Sequence, residues 1–102
     1  MRVEWTAPAL DDLAVIRDYI AKDSPHYARR FIERIFDAAE KLHDHPQMGR
    51  QVPEADLSEV RELIFQGYRI IHRIKPDQVQ IVAVIHGARD LTATDHQPWN
   101  DL

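Results

Sequence analysis

Four residues in the second half of the chain have types suited to chemistry: Arg69, Arg73, His86 and Arg89. A histidine titrates near neutrality and can serve as general base or acid, while arginines can hold a scissile phosphate. Alternation along a strand puts Arg69, Ile71 and Arg73 on one face of residues 68–74, and Tyr68, Ile70, His72 and Ile74 on the other. The same count over residues 79–86 separates Gln80, Val82, Val84 and His86 from Val79, Ile81, Ala83 and Ile85. With the more apolar faces turned toward helices, Arg69, Arg73 and His86 share the opposite face. The competing interpretation is a solvated sheet face with positive charge scattered over it.

Other candidates are weaker. His43-Asp44-His45 suggests a metal, but two histidines one residue apart on a helix point different ways and no third ligand accompanies them, so no metal site is assigned. A histidine beside the last carbonyls of a helix explains the same residues. His72, among apolar neighbours, reads as a hydrogen-bonded core histidine. Asp11 and Asp12 suit the positive end of a helix. Arg29, Arg30 and Arg34 alternate with Glu33, Asp37 and Glu40 at helical pair spacing, which predicts an exposed, salt-bridged face. There is no glycine-rich phosphate loop and no nucleophile elbow, and no cofactor is implied.

The elements that must position these residues are legible in the spacing. Arg2–Trp5 alternates polar and apolar residues as a strand does. Thr6 can cap the helix that follows, with Pro8 in its first turn. Leu10, Leu13, Ile16 and Ile20 then recur at helical spacing, and Val15 and Tyr19 form a flanking stripe. Ser24-Pro25 caps and opens a second helix running to about His43, with Ala28, Phe31, Ile32, Ile35, Ala39 and Leu42 on one face. So short a connection makes the two helices an antiparallel hairpin. Residues 44–58, with two prolines and a glycine, form a long irregular link suited to a binding role. Val60–Phe65, Tyr68–Ile74 and residues 79–86 are joined by short turns as a three-strand antiparallel meander. The fold class is α+β, in the order β-α-α-β-β-β, with the hairpin packed on a small antiparallel sheet. The whole chain, residues 1–102, is one domain, with a core over 1–90 and a tail over 91–102 whose one large apolar residue is Trp99. That composition predicts a tail that orders on binding a partner.

Composition narrows the function classes. There is no cysteine among the 102 residues, which excludes a disulfide framework, a thiolate metal site and a cysteine nucleophile. No stretch reaches the roughly 18 apolar residues of a membrane span, so a cytoplasmic protein is expected. The net charge of −4 argues against general nucleic-acid affinity, because each phosphate contact needs a cation. Between residues 59 and 90 five positive charges face four negative ones, so any anion-binding face belongs there.

Several stretches, in order, resemble the ParE branch of the RelE/ParE toxin superfamily. They are Val3-Glu4-Trp5-Thr6, Ala9-Leu10-Asp11-Asp12-Leu13, Arg17-Asp18-Tyr19-Ile20-Ala21, Ser24-Pro25 and Ala28-Arg29-Arg30. Leu42 with His45-Pro46 and Met48-Gly49-Arg50 follows. Val60-Arg61-Glu62-Leu63, the run Gly67 to Ile74 and Val84-Ile85-His86-Gly87-Ala88-Arg89-Asp90 complete the series. His72 stands where the family often has tyrosine.

The resemblance implies the toxin of a type II toxin–antitoxin system, which arrests growth and forms a hetero-oligomeric complex with a ParD-like or other antitoxin. A helix-in-groove contact with the hairpin and long loop would use Leu13, Ile16, Ile20, Phe31, Ile35 and Met48. ParE-like members poison DNA gyrase, whereas RelE-like members cut messenger RNA on the ribosome with a basic cluster and often a late tyrosine. Here no tyrosine follows Asp90, and Lys75 is the one lysine of the sheet region. The expectation is therefore a gyrase-binding toxin without chemistry of its own, whose target face holds Arg69, Arg73, His86 and Arg89. The alternatives are a messenger-RNA endoribonuclease using those same four residues, or an attenuated toxin that only binds its antitoxin.

Overall fold

Thr6 and Ser24 start the two helices. Thr6 Oγ1 accepts from the Ala9 amide at 3.3 Å and Ser24 Oγ from the Tyr27 amide at 3.1 Å, each satisfying a donor left free in a first turn. The computed structural model describes residues 1–93 and 97–100. In chain order these are β1 (Arg2–Trp5), α1 (Ala7–Ala21), α2 (Pro25–Glu40), a 3-10 turn (Lys41–His43), β2 (Arg50–Gln51), β3 (Val60–Phe65), β4 (Tyr68–Ile74), β5 (Gln78–His86) and a second 3-10 turn (Leu91–Ala93).

The expected α+β hairpin-on-sheet architecture holds, and the meander β3–β4–β5 lies where the turns place it. The sheet has five strands in the order β1-β5-β4-β3-β2. Two features extend the expectation. β1 lies parallel to β5, pairing Arg2 with Gln78 through Trp5 with Ile81, and the rest of the fold is the crossover such a pair requires. Within the long link, Arg50–Gln51 adds a short edge strand against β3. Gly49 makes that approach possible. Its φ is +94°, and a Cβ there would lie 2.3 Å from the Glu62 carbonyl oxygen.

A bulge decides which side chains face the helices. β4 pairs with β5 in regular antiparallel register until Ile71 opposes Ala83, after which His72 opposes Ile81 and Val82 is left over. One extra residue reverses the parity of everything beyond it. Val79 and Ile81 therefore join Val84 on the helix side, packed with Leu13, Ile16, Phe31, Ile35 and Ile70. Val82, Ala83 and Ile85 turn to the other side. There they form a second core with Val52, Val60, Ile71, Leu91 and Trp99. The sheet is thus covered on both faces, by the helical hairpin on one side and by the long link and tail on the other.

The tail departs from expectation. Trp99 is 2% exposed and its carbonyl accepts from Arg73 Nη1, so this segment is part of the core without any partner. Residues 94–96 and 101–102 lie outside the described residues.

Candidate functional site

The four candidate residues do not form one basic face. Arg69 is 4% exposed and fully engaged. Its Nε donates to Glu62 Oε1 at 2.6 Å, and its two terminal nitrogens grip Glu54 in a fork, Nη1 to Oε2 at 2.8 Å and Nη2 to Oε1 at 2.7 Å. Glu62, buried beside it, takes Arg50 Nε on its other oxygen at 2.6 Å. Two arginines and two glutamates cancel, which is how so much charge survives under a sheet. The Arg69 fork holds the Glu54 carboxyl far below its ordinary range, at about 2, and the two carboxylates raise the Arg69 guanidinium in turn.

Arg73 lies on the same face but four residues along, donating to the Trp99 carbonyl and 3.7 Å from Glu59. His86, expected beside these arginines, is on the opposite face. It pairs with Tyr68, ring edge to face at 5.8 Å, because the Val82 bulge has reversed its side. Arg89 stands exposed in the turn after β5. Only His86 and Arg89 of the four are exposed, and they occupy one tip of the sheet.

That tip is tied down from several directions. Gly87 N donates to the Gly67 carbonyl at 2.7 Å, Ala88 N to His86 Nδ1 at 3.2 Å, and Arg89 N to the His86 carbonyl at 3.1 Å. The Arg89 carbonyl accepts from Arg69 Nη1 at 3.1 Å and Leu91 N donates to Glu54 Oε2 at 3.2 Å. Beside it, Ile64 is 57% exposed and Tyr27 is 47% exposed.

The expected antitoxin contacts divide in the same way. Leu13, Ile16, Phe31 and Ile35 face inward and are buried in the core between hairpin and sheet, so they are unavailable to a partner. Amphipathic spacing marks the buried face of a helix, and here the sheet already occupies it. Ile20 and Met48 are half-buried at the margin of that core. The accessible apolar residues lie elsewhere: Val15 and Tyr19 on one flank of α1, Leu10 and Phe36 on the outer seam of the hairpin. That seam holds a depression of about 420 Å³ between Arg17, Ala21, Pro25, Ala28, Ile32 and Phe36. A smaller one of about 150 Å³ continues toward Leu10 and Ala14. Alongside, Arg29, Arg30 and Arg34 surround a further hollow; contrary to the expected salt-bridged face, they make no ion pair among the described residues.

Three other residues take unexpected roles. His72 is buried as expected, and burial depresses its pKa to about 4, against the smaller opposing effect of backbone hydrogen bonds at Ile70 and Met48. Asp12 reaches from α1 to accept the Val84 amide at 3.0 Å, on the stretch of β5 edge that β1 leaves unpaired. Burial raises its pKa. His43 contacts Asp44 at 3.1 Å. Glu54 and Glu62 escaped sequence reasoning altogether; an acidic residue alternating with buried positions of β3 was the one available signal.

Comparison with known proteins agrees with this architecture. Residues 3–91 match the family model described as the ParE toxin of the type II toxin–antitoxin system parDE. The chain is similar to toxin RelE2 of Caulobacter vibrioides, 39% identical over 88 residues that cover 86% of this chain and 97% of the relative. Toxin RelE3 of the same organism is 32% identical over 88 residues, covering 82% and 91%. Among solved structures, the chromosomal ParDE system from P. aeruginosa superposes with a TM-score of 0.71 at 25% identity, over 84% of this chain and 95% of that one. The chain belongs to the ParE toxin family of type II toxin–antitoxin systems.

Proposed function

We propose that this toxin arrests growth by binding DNA gyrase in the cytoplasm, as a protein ligand with no chemistry of its own, and that a ParD-like antitoxin neutralises it. One observation carries the choice. The sheet face that could have held a phosphate is filled: Arg69 is spent on Glu54 and Glu62, and Leu91 and Trp99 cover the apolar residues beside it. A nuclease needs cations left free for the scissile phosphate and the charge it develops. The target surface in this reading is the sheet tip, with Arg89 and His86 as its exposed polar groups and Arg73 at the far margin. Arg69 supports that surface from within.

The antitoxin docks on the outer seam of the hairpin. Its trough is lined by Ala21, Ala28, Ile32 and Phe36 and flanked by Arg17, Arg29 and Glu33, which suits an amphipathic helix with a charged border. Leu10 extends this apolar surface at one end, while Val15, Tyr19, Ile20 and Met48 offer further apolar area elsewhere on the protein.

Ribosome-dependent cleavage of messenger RNA is the second reading, favoured by the exposure of His86 three residues from Arg89 and by relatives named RelE2 and RelE3. Purified toxin added to gyrase should abolish supercoiling and trap double-strand breaks. Primer extension on translated messages should show no new ends. Codon-associated cuts that vanish in His86→Ala would establish the second reading instead, and absence of both effects with tight antitoxin binding would mark an attenuated toxin.

A further inference from the structure

We propose that Arg69 is a positioning residue for target engagement, the centre of a buried clamp that fixes the turn of residues 87–91 and so presents the Arg89 side chain; this rests on the target surface proposed above. The geometry joins three separate segments through one guanidinium. Nε binds Glu62 of β3, the terminal nitrogens bind Glu54 of the long link, and Nη1 also donates to the Arg89 carbonyl. Glu54 Oε2 then accepts the Leu91 amide. The two residues flanking Asp90 are therefore held by opposite partners of one ion pair. On the near side Gly87 sits against Gly67, where a Cβ would come within 2.8 Å of the Gly67 carbonyl oxygen.

The backbone donors of residues 87, 88, 89 and 91 are all consumed by other groups of the protein. What the turn offers outward is side chain, and its one cation is Arg89. A planar fork with three separately aimed edges is required at position 69. Lysine, a single point charge, cannot reach Glu62, both oxygens of Glu54 and the Arg89 carbonyl together.

The test uses the full chain carrying Arg69→Lys, with Glu54→Gln as a second variant that keeps size and loses charge. Ser24→Ala, a cap deletion on the far hairpin, supplies a destabilised comparator. Amide hydrogen exchange at Gly87, Arg89 and Leu91 should accelerate at least about tenfold in the clamp variants, beyond any change at α1 and α2 amides. Growth arrest on induced expression should weaken in the clamp variants more than in Ser24→Ala, at matched protein level and after allowance for the measured Tm. Uniform acceleration across the molecule would overturn the proposal, as would arrest that tracks Tm alone. Arg89→Ala separates the two layers. Lost arrest with unchanged exchange supports both. Full arrest in Arg89→Ala sinks the target-surface reading, while the exchange data still decide the clamp.

Discussion

Arg69 and His72 sit three residues apart in one strand and show opposite solutions to burying a polar side chain. Arg69 is matched on every edge, and removing it leaves Glu54 without its cation and Glu62 with Arg50 alone. Arg69→Met should cost about 3–5 kcal/mol, because an uncompensated buried charge is worse than no pair at all. Urea denaturation of the variant should show most of the stability of the domain gone. His72 has no ion-pair partner among the described residues, and burial lowers its pKa to about 4 in the fold from about 6.5 in the unfolded chain. Between those values the unfolded chain binds the extra proton, so stability is level above about pH 7 and falls as pH drops from 6.5 toward 4. The full span corresponds to about 3 kcal/mol. Glu54 acts lower still: its depressed pKa adds stability above 4.5 that is lost as pH falls toward 2. Denaturant midpoints at pH 7 and pH 4.5 should differ for the wild type and nearly coincide for His72→Phe.

Among the elements, β5 carries the most consequence. Its bulge sends His86 to the helix side and Ala83 and Ile85 to the second core, and its upper edge has no strand neighbour because β1 ends at Trp5. Asp12 closes part of that edge by accepting the Val84 amide. Losing the carboxylate leaves a backbone donor bare and a strand edge open to pairing with another chain. Asp12→Ala should destabilise by about 1–2 kcal/mol and promote self-association, with Asp12→Asn milder on both counts. Equilibrium unfolding and light scattering at increasing concentration check this. Gly87→Ala tests the tip in the same way: overpacking against Gly67 should cost about 1–3 kcal/mol in Tm-derived stability.

For the molecule as a whole, two cores share one sheet. The outer core depends on residues near the C-terminus, where Trp99 and Leu91 close over Ile71, Val82 and Ile85. Trp99→Ala should cost about 3–5 kcal/mol, a large share of what a domain of this size possesses. Amide exchange at Leu91 should accelerate with it, and Arg73 should lose its ordered carbonyl partner. The same closure makes both faces of the sheet structural, which is why the surfaces proposed for recognition are the hairpin seam and the strand tip.

The local grammar of this protein was determined by its sequence. Thr6, Ser24-Pro25 and the Gln66-Gly67 turn place both helices and the three meander strands, because caps, helical spacing and turn residues act over a few positions. The family resemblance was equally legible in runs such as residues 84–90. Tertiary structure alone decided the rest. The bulge at Val82 carries no local signal, since apolar residues surround it, yet it overrules the alternation that had placed His86 beside Arg69. The partnership of Arg69 with Glu54 spans fifteen positions and a loop of no fixed period. Whether an amphipathic stripe is surface or core depends on what packs on it, and for Leu13, Ile16, Phe31 and Ile35 the sheet does. Periodicity reports that a side chain will be buried. It does not report against what.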